Sequence, residues 1–171
     1  MLAEIQFVLF AVFPFALAYA ASSDLLTMTI SNRVPLLLAG AFVAMSPLIG
    51  MDLATFAMHW AAGGAMLVVT FFLFAMGWIG GGDAKLAAVV ALWIGWPPQI
   101  IEFVALASIF GGLLTLAILV FRQMVVPAFV MRPRWVQKLH DDETGIPYGI
   151  ALAAGGLAVY PHTIWMGLVV G

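Results

Sequence analysis

The 171 residues are 65% hydrophobic and only 8% charged, too little polar surface to coat a soluble globule, so most side chains must face lipid or other helices. The formal net charge of −2 gives no reason to expect a nucleic-acid partner. Zero cysteines exclude disulfides, thiolate metal sites and a cysteine nucleophile.

The first apolar run, residues 5–22, has about the 20-residue length that a bilayer crossing needs, and Pro14 sits inside it. The leading Met1 to Gln6 carries Glu4 and no Lys or Arg, unlike a cleaved signal peptide, so this segment is expected to stay in the mature chain. A polar connector over residues 23–33 holds Asp24, Asn32 and Arg33. A second span covers residues 34–49, and Asp52 reads as the cap of a third, residues 53–77. Then Gly80-Gly81-Gly82-Asp83 interrupts the apolar sequence. Glycines let the backbone leave helical geometry and let another chain approach closely, and irregular backbone at membrane depth survives only where it is buried or lines a cavity. A cavity is therefore expected here, with Asp83 at its wall.

A fourth span starting at Ala84 meets Pro97-Pro98 after about thirteen residues, or roughly 20 Å of a ~30 Å hydrocarbon core. If the glycine break is its recessed end, Asp83 lies partly inside the bilayer plane. A fifth span covers residues 99–121, with Glu102 in the first turn, where a carboxylate suits the helix dipole. Residues 122–147 read as one long polar loop. A sixth span starts near Tyr148 and either kinks or ends at Pro161-His162.

Six crossings put the loops after the first, third and fifth spans on one side, and these hold Arg33, Lys85, Arg122, Arg132, Arg134 and Lys138, all six Lys and Arg residues. The positive-inside rule then places these loops in the cytoplasm and the N-terminus outside. Glu4, Asp52 and Glu102 fall on the opposite side, whereas Asp24 and Asp83 face the cytoplasmic boundary. The expected architecture is an all-α membrane protein forming a single domain over residues 1–171. It is a bundle of about six transmembrane helices with a glycine-rich break before the fourth.

Two carboxylates at one depth in a desolvated pocket point to shared-proton chemistry. Like charges a few ångströms apart cannot both ionise cheaply, which yields one general base for water and one acid for the leaving group. A glycine-rich backbone with unpaired N–H and C=O groups could hold an extended peptide by strand addition, so a peptide bond is the expected substrate. Taken singly, Asp24 reads as a turn cap, Asp83 as an interfacial cap, and the glycine run as a tight helix contact or hinge. Their conjunction on one face favours the functional reading.

Gly80-Gly81-Gly82-Asp83-Ala84-Lys85 resembles the G-x-G-D-x-K motif of the type IV prepilin peptidases, within the G-x-G-D intramembrane aspartyl proteases. Asp24 to Asn32 is similar to that family's first motif, an Asp, five residues, then Ile-Pro-Asn, with Ser31 in place of the proline. Ile146-Pro147-Tyr148-Gly149 resembles its Pro-Tyr/Phe-Gly signature. The resemblance implies a bacterial inner-membrane peptidase that cuts the short basic leader of a prepilin or pseudopilin on the cytoplasmic side. Asp24 and Asp83 would be the catalytic pair, Gly80, Gly81 and Gly82 the active-site backbone, and Lys85, Asn32 and Pro147 supporting residues, with no cofactor and no metal. The short connector and the lack of cysteines resemble the compact peptidase-only form of Flp or Tad pilus systems, and argue against the methyltransferase activity of larger members. Other pilus-assembly proteins are implied as partners besides the lipid bilayer.

His140-Asp141-Asp142-Glu143 reads as a solvated acidic patch rather than a metal cluster, because consecutive loop residues cannot all converge on one ion. In the family reading it attracts a basic leader. His59 and His162 read as hydrogen-bonded structural residues. The competing functions are a proton-coupled transporter, in which Asp24 and Asp83 relay protons, and a non-enzymatic pilus-assembly subunit. A relay wants carboxylates distributed through the membrane depth, and no acidic residue occupies a mid-span position here.

Overall fold

The computed structural model describes the backbone of residues 2–170 and the side chains of residues 11–167. The placement of Glu4 relative to the other acidic residues, and the very ends of the 1–171 domain, lie outside the described residues. The chain runs α1 (Leu2–Thr27), α2 (Arg33–Met45), α3 (Leu53–Ala75), α4 (Gly81–Ile94), α5 (Gln99–Gln123), α6 (Arg134–His140), α7 (Gly149–Val159) and α8 (Ile164–Val170), with no strand among the described residues. α3 and α5 are long and apolar enough to cross a bilayer. Most of each faces away from the rest of the protein, which suits helices bathed in lipid rather than core helices.

The short α4 is the centre of the packing. Nine of its fourteen residues are buried, as expected of a helix that is apolar all round. α3 packs along it, while α2 and α7 cover other faces. Trp93 anchors the core: its Nε1 donates to the Leu38 carbonyl of α2 at 2.9 Å, and its own carbonyl accepts from Trp165 Nε1 of α8 at 2.8 Å. Phe13 of α1 stacks on Trp93 and Tyr160. Each buried indole N–H is thus paired, which lets tryptophan fill an apolar interior.

Several boundaries differ from the sequence reading. α1 continues to Thr27, so Asp24 is a helical residue and not part of the connector. Gly81, Gly82 and Asp83 form the first turn of α4, and the break occupies residues 76–80, with Gly77 in the left-handed region (φ 76°). The glycines therefore favour close packing rather than an extended backbone, and helical hydrogen bonding takes the carbonyls that strand addition would need, beginning with Ala84 N–H to Gly80 O. Residues 122–147 are not a plain loop: α6 lies within them, tied down by Arg122, which donates to the carbonyls of Leu139 and Thr144. The last apolar segment breaks at a 3-10 turn over Tyr160–His162, the alternative left open at Pro161. Asp52 caps α3, accepting from Thr55 N–H at 3.0 Å. His59 is buried, its Nδ1 2.7 Å from the Leu92 carbonyl, and His162 faces Glu102 at 3.2 Å on the surface.

Candidate active site

Asp24 lies one turn before the end of α1, where Met28 N–H still closes on its carbonyl at 2.7 Å. Met28 then reverses the chain in a left-handed conformation (φ 59°), uncommon for a residue with a side chain. Lys138 of α6 donates to the Thr27 carbonyl at 3.2 Å, a cation at a helix C-terminus. These features fix the last turn of α1. Asp24 is 5% exposed, and its Oδ2 accepts the backbone N–H of Gly149, the first residue of α7, at 2.7 Å.

Asp83 is the third residue of α4. Its Oδ2 reaches back to the N–H of the capping residue Gly80 at 3.2 Å, half of a capping box, since glycine has no side chain to return the bond. Asp83 Oδ1 is buried and has no hydrogen-bond partner among the described residues. A buried carboxylate oxygen without a donor is uncommon in folded proteins. The two carboxylates are close enough to be electrostatically coupled.

Ile30, in the connector between α1 and α2, holds the two sites together. A Cβ added to Gly82 would lie 3.1 Å from Ile30 Cβ, and one added to Gly149 would lie 2.7 Å from Ile30 Cδ1 and 2.8 Å from Asp24 Oδ2. Ile30 is thus wedged between the start of α4 and the start of α7, tightly against Gly82 and too close to Gly149 for any side chain there without a shift. Asn32 and Lys85 meet directly, Nζ donating to Oδ1 at 2.8 Å, which ties the same connector to the first turn of α4. Pro147 is fully buried, and Tyr148 Oη lies 3.3 Å from Thr115 Oγ1.

All the expected positions therefore gather at one end of the molecule, from four separate segments. The sequence reading missed Ile30 and the Gly149 N–H. Both carried a signal: Gly149 directly follows the Pro-Tyr pair, and Ile30 is the isoleucine of the motif that runs from Asp24 to Asn32, but neither position announced its contacts. The expected cavity is present. It is a groove of about 1170 Å³ with Asp83, Thr70, Thr115 and Tyr148 in its walls. Residues 140–143 do not converge. His140 packs on the Phe121 ring, Asp141 caps the turn at Glu143 and Thr144, and Asp142 lies 4.0 Å from Arg122.

The model of the type IV leader peptidase family matches residues 11–116, a stretch that includes Asp24, Asp83 and all of α3 and α4 and stops short of residues 146–149. Comparison with curated proteins and with solved structures gave no match. Since the matched stretch spans well over half of this apolar, all-helical membrane protein, the chain belongs to the type IV leader peptidase family and is a peptidase of that family.

Proposed function

We propose that this protein is an aspartyl endopeptidase that removes the short basic leader from a prepilin or pseudopilin, with Asp24 and Asp83 as a shared-proton pair. The observation that carries the reading is that these two residues, distant in sequence, come to one end of the molecule around Ile30, and that Asp83 Oδ1, buried and without a hydrogen-bond partner among the described residues, belongs to a residue lining an open groove. The ionised carboxylate takes a proton from water, whose oxygen attacks the scissile carbonyl. The protonated partner gives its proton to the leaving amide nitrogen as the C–N bond breaks. The pair then again holds one proton. Gly80 and Gly82 admit the backbone geometry around Asp83, Gly81 packs on Phe74, and Lys85, Asn32 and Pro147 hold the frame.

In this reading α1 to α5 and the broken α7–α8 segment form six crossings of the bacterial inner membrane, N-terminus outside and the dyad at the cytoplasmic face. The compact connector between α1 and α2 fits the peptidase-only form of Flp or Tad pili. The test is cleavage of a prepilin, glycine before the scissile bond and an apolar helix after it, by wild type, Asp24→Asn and Asp83→Asn in liposomes. Each variant is expected to fold and to lose about 10²–10⁴-fold or more in kcat. Cutting near the wild-type rate by either variant would sink the dyad. Proton flux without cleavage would favour a transporter. Asp142 and Glu143 stand exposed at the same end, and Asp142→Asn with Glu143→Gln should raise KM for a basic leader; an unchanged KM would remove them from substrate attraction.

A further inference from the structure

α3 packs along α4 and meets α2 through Phe56, His59 and Trp60 around Phe42, but has no comparable packing on α5. The space left between α3 and α5 is the groove that ends at Asp83. Its rims are apolar and exposed, Val69 on α3 and Leu116, Val104 and Ile101 on α5. The polar groups deeper in are already engaged. Thr70 Oγ1 donates to the carbonyls of Met66 and Ala84, and Thr115 Oγ1 to that of Gly111. The one buried acceptor in the groove without a partner among the described residues is Asp83 Oδ1, at one end.

Ser108 apart, a groove of this kind offers little to a polar ligand along its length and has one reactive group at its end. In lipid, a peptide can enter such a space only with its backbone hydrogen bonds satisfied internally, which means as a helix. From Leu116 to Ile101 the groove follows α5 for about 22 Å, room for roughly fifteen residues of helix at 1.5 Å each. Its floor includes the small residues Ala87, Ala151 and Gly111, which let a helix approach closely.

We infer that the groove between α3 and α5 binds the apolar helix that follows the scissile bond, entering sideways from the bilayer, with its N-terminal end at Asp83. This inference rests on the peptidase reading for the identity of the helix and adds its place and direction. The polarity follows from the geometry. The scissile bond must sit at Asp83, so the substrate helix runs from there toward Ile101, parallel to α4 and antiparallel to α3 and α5. The leader then emerges at the end where Asp142 and Glu143 stand.

Two glycines suit the test, because a Cβ added to either points into open space, with nothing within 4 Å. Gly112 lines this groove, whereas Gly64 faces the opposite side of α3. Two substrates are used, the full prepilin and a soluble peptide that stops a few residues after the scissile bond. Gly112→Phe is expected to raise KM for the full substrate at least tenfold while leaving kcat/KM for the short peptide within about twofold, and Gly64→Phe to change neither. Full-substrate cleavage by Gly112→Phe at the wild-type kcat/KM would overturn the groove. The chain has no cysteine, so docking can also be read without catalysis. A prepilin cysteine near the start of the apolar helix should form a disulfide with Gly112→Cys, and one near its end with Ile101→Cys. The reverse pairing, or equal trapping by Gly64→Cys, would overturn the placement. Trapping in the expected register by a protein that cuts neither substrate would keep the groove and reject the peptidase.

Discussion

At the scale of single residues, the candidate site is held by what is missing from two glycines. Gly149 brings its N–H onto Asp24, and a methyl group there would meet Asp24 Oδ2 and Ile30 Cδ1 at under 3.0 Å. Either neighbour must move, and a displacement of the order of 1 Å in a catalytic group can cost about 10²-fold in rate. Gly149→Ala is therefore expected to lower kcat by about that factor. Adding Ile30→Ala should restore part of the loss by freeing the Cδ1 side, but not all of it, because the contact with Asp24 remains. Full activity in Gly149→Ala alone would show that Asp24 is not held in place by this contact. Ile30 also explains Gly82: the same side chain touches it, so a single apolar residue in a short connector sets how α1, α4 and α7 meet.

At the scale of elements, the short α4 decides how deep Asp83 lies. Its fourteen residues cover about 21 Å, so a helix buried on most sides carries its first turn to a point where the carboxylate is only partly exposed. α3 starts differently, with an exposed cap. Asp52 accepts from both the N–H and the hydroxyl of Thr55, and these bonds hold its carboxyl below the usual carboxylate range. A carboxylate whose pKa is depressed by folding adds stability above its unfolded value, and that stability is lost as the pH falls through the folded one. Asp52→Ala is expected to lower the thermal midpoint at neutral pH, with the difference from wild type shrinking as the medium is made strongly acid. A difference that persists undiminished in acid would assign it to something other than the ionised cap. The 122–147 segment shows the opposite case, an apparently loose loop in which one guanidinium reaches the Leu139 carbonyl in the last turn of α6 and the Thr144 carbonyl beyond it.

At the scale of the whole molecule, the contacts sort the chain into two ends. Asp24, Asp83, Lys85, Asn32, Arg122 and Lys138 are joined through shared partners at one. Gln99, Glu102 and His162 meet at the other. The cations thus collect at the same end as the two carboxylates, and by the positive-inside rule that end is proposed to face the cytoplasm. Single cysteines report this directly in a chain that has none of its own. Leu48→Cys, exposed in the turn after α2, should react with an impermeant maleimide added to intact cells, and Glu143→Cys only after permeabilisation. The inverse pattern would turn the molecule over and remove the leader-cleavage reading at the cytoplasmic face.

The sequence by itself determined the solvent and the framework. Composition fixed a lipid environment, hydropathy placed the starts of α3 and α5, Asp52 announced a cap, and the spacing of Gly80 to Lys85 and Asp24 to Asn32 pointed to the family. These are local or additive properties, legible without knowing which segments touch. Only the tertiary structure decided that Gly81 and Gly82 are helical, that Asn32 and Lys85 bond to each other, and that Ile30 is the wedge between α4 and α7. It also decided that α3 stands far enough from α5 to leave a groove ending at Asp83. Each of these depends on which side chains meet across elements far apart in sequence. In a chain that is 65% hydrophobic, hydropathy alone does not separate the faces that meet protein from those that meet lipid.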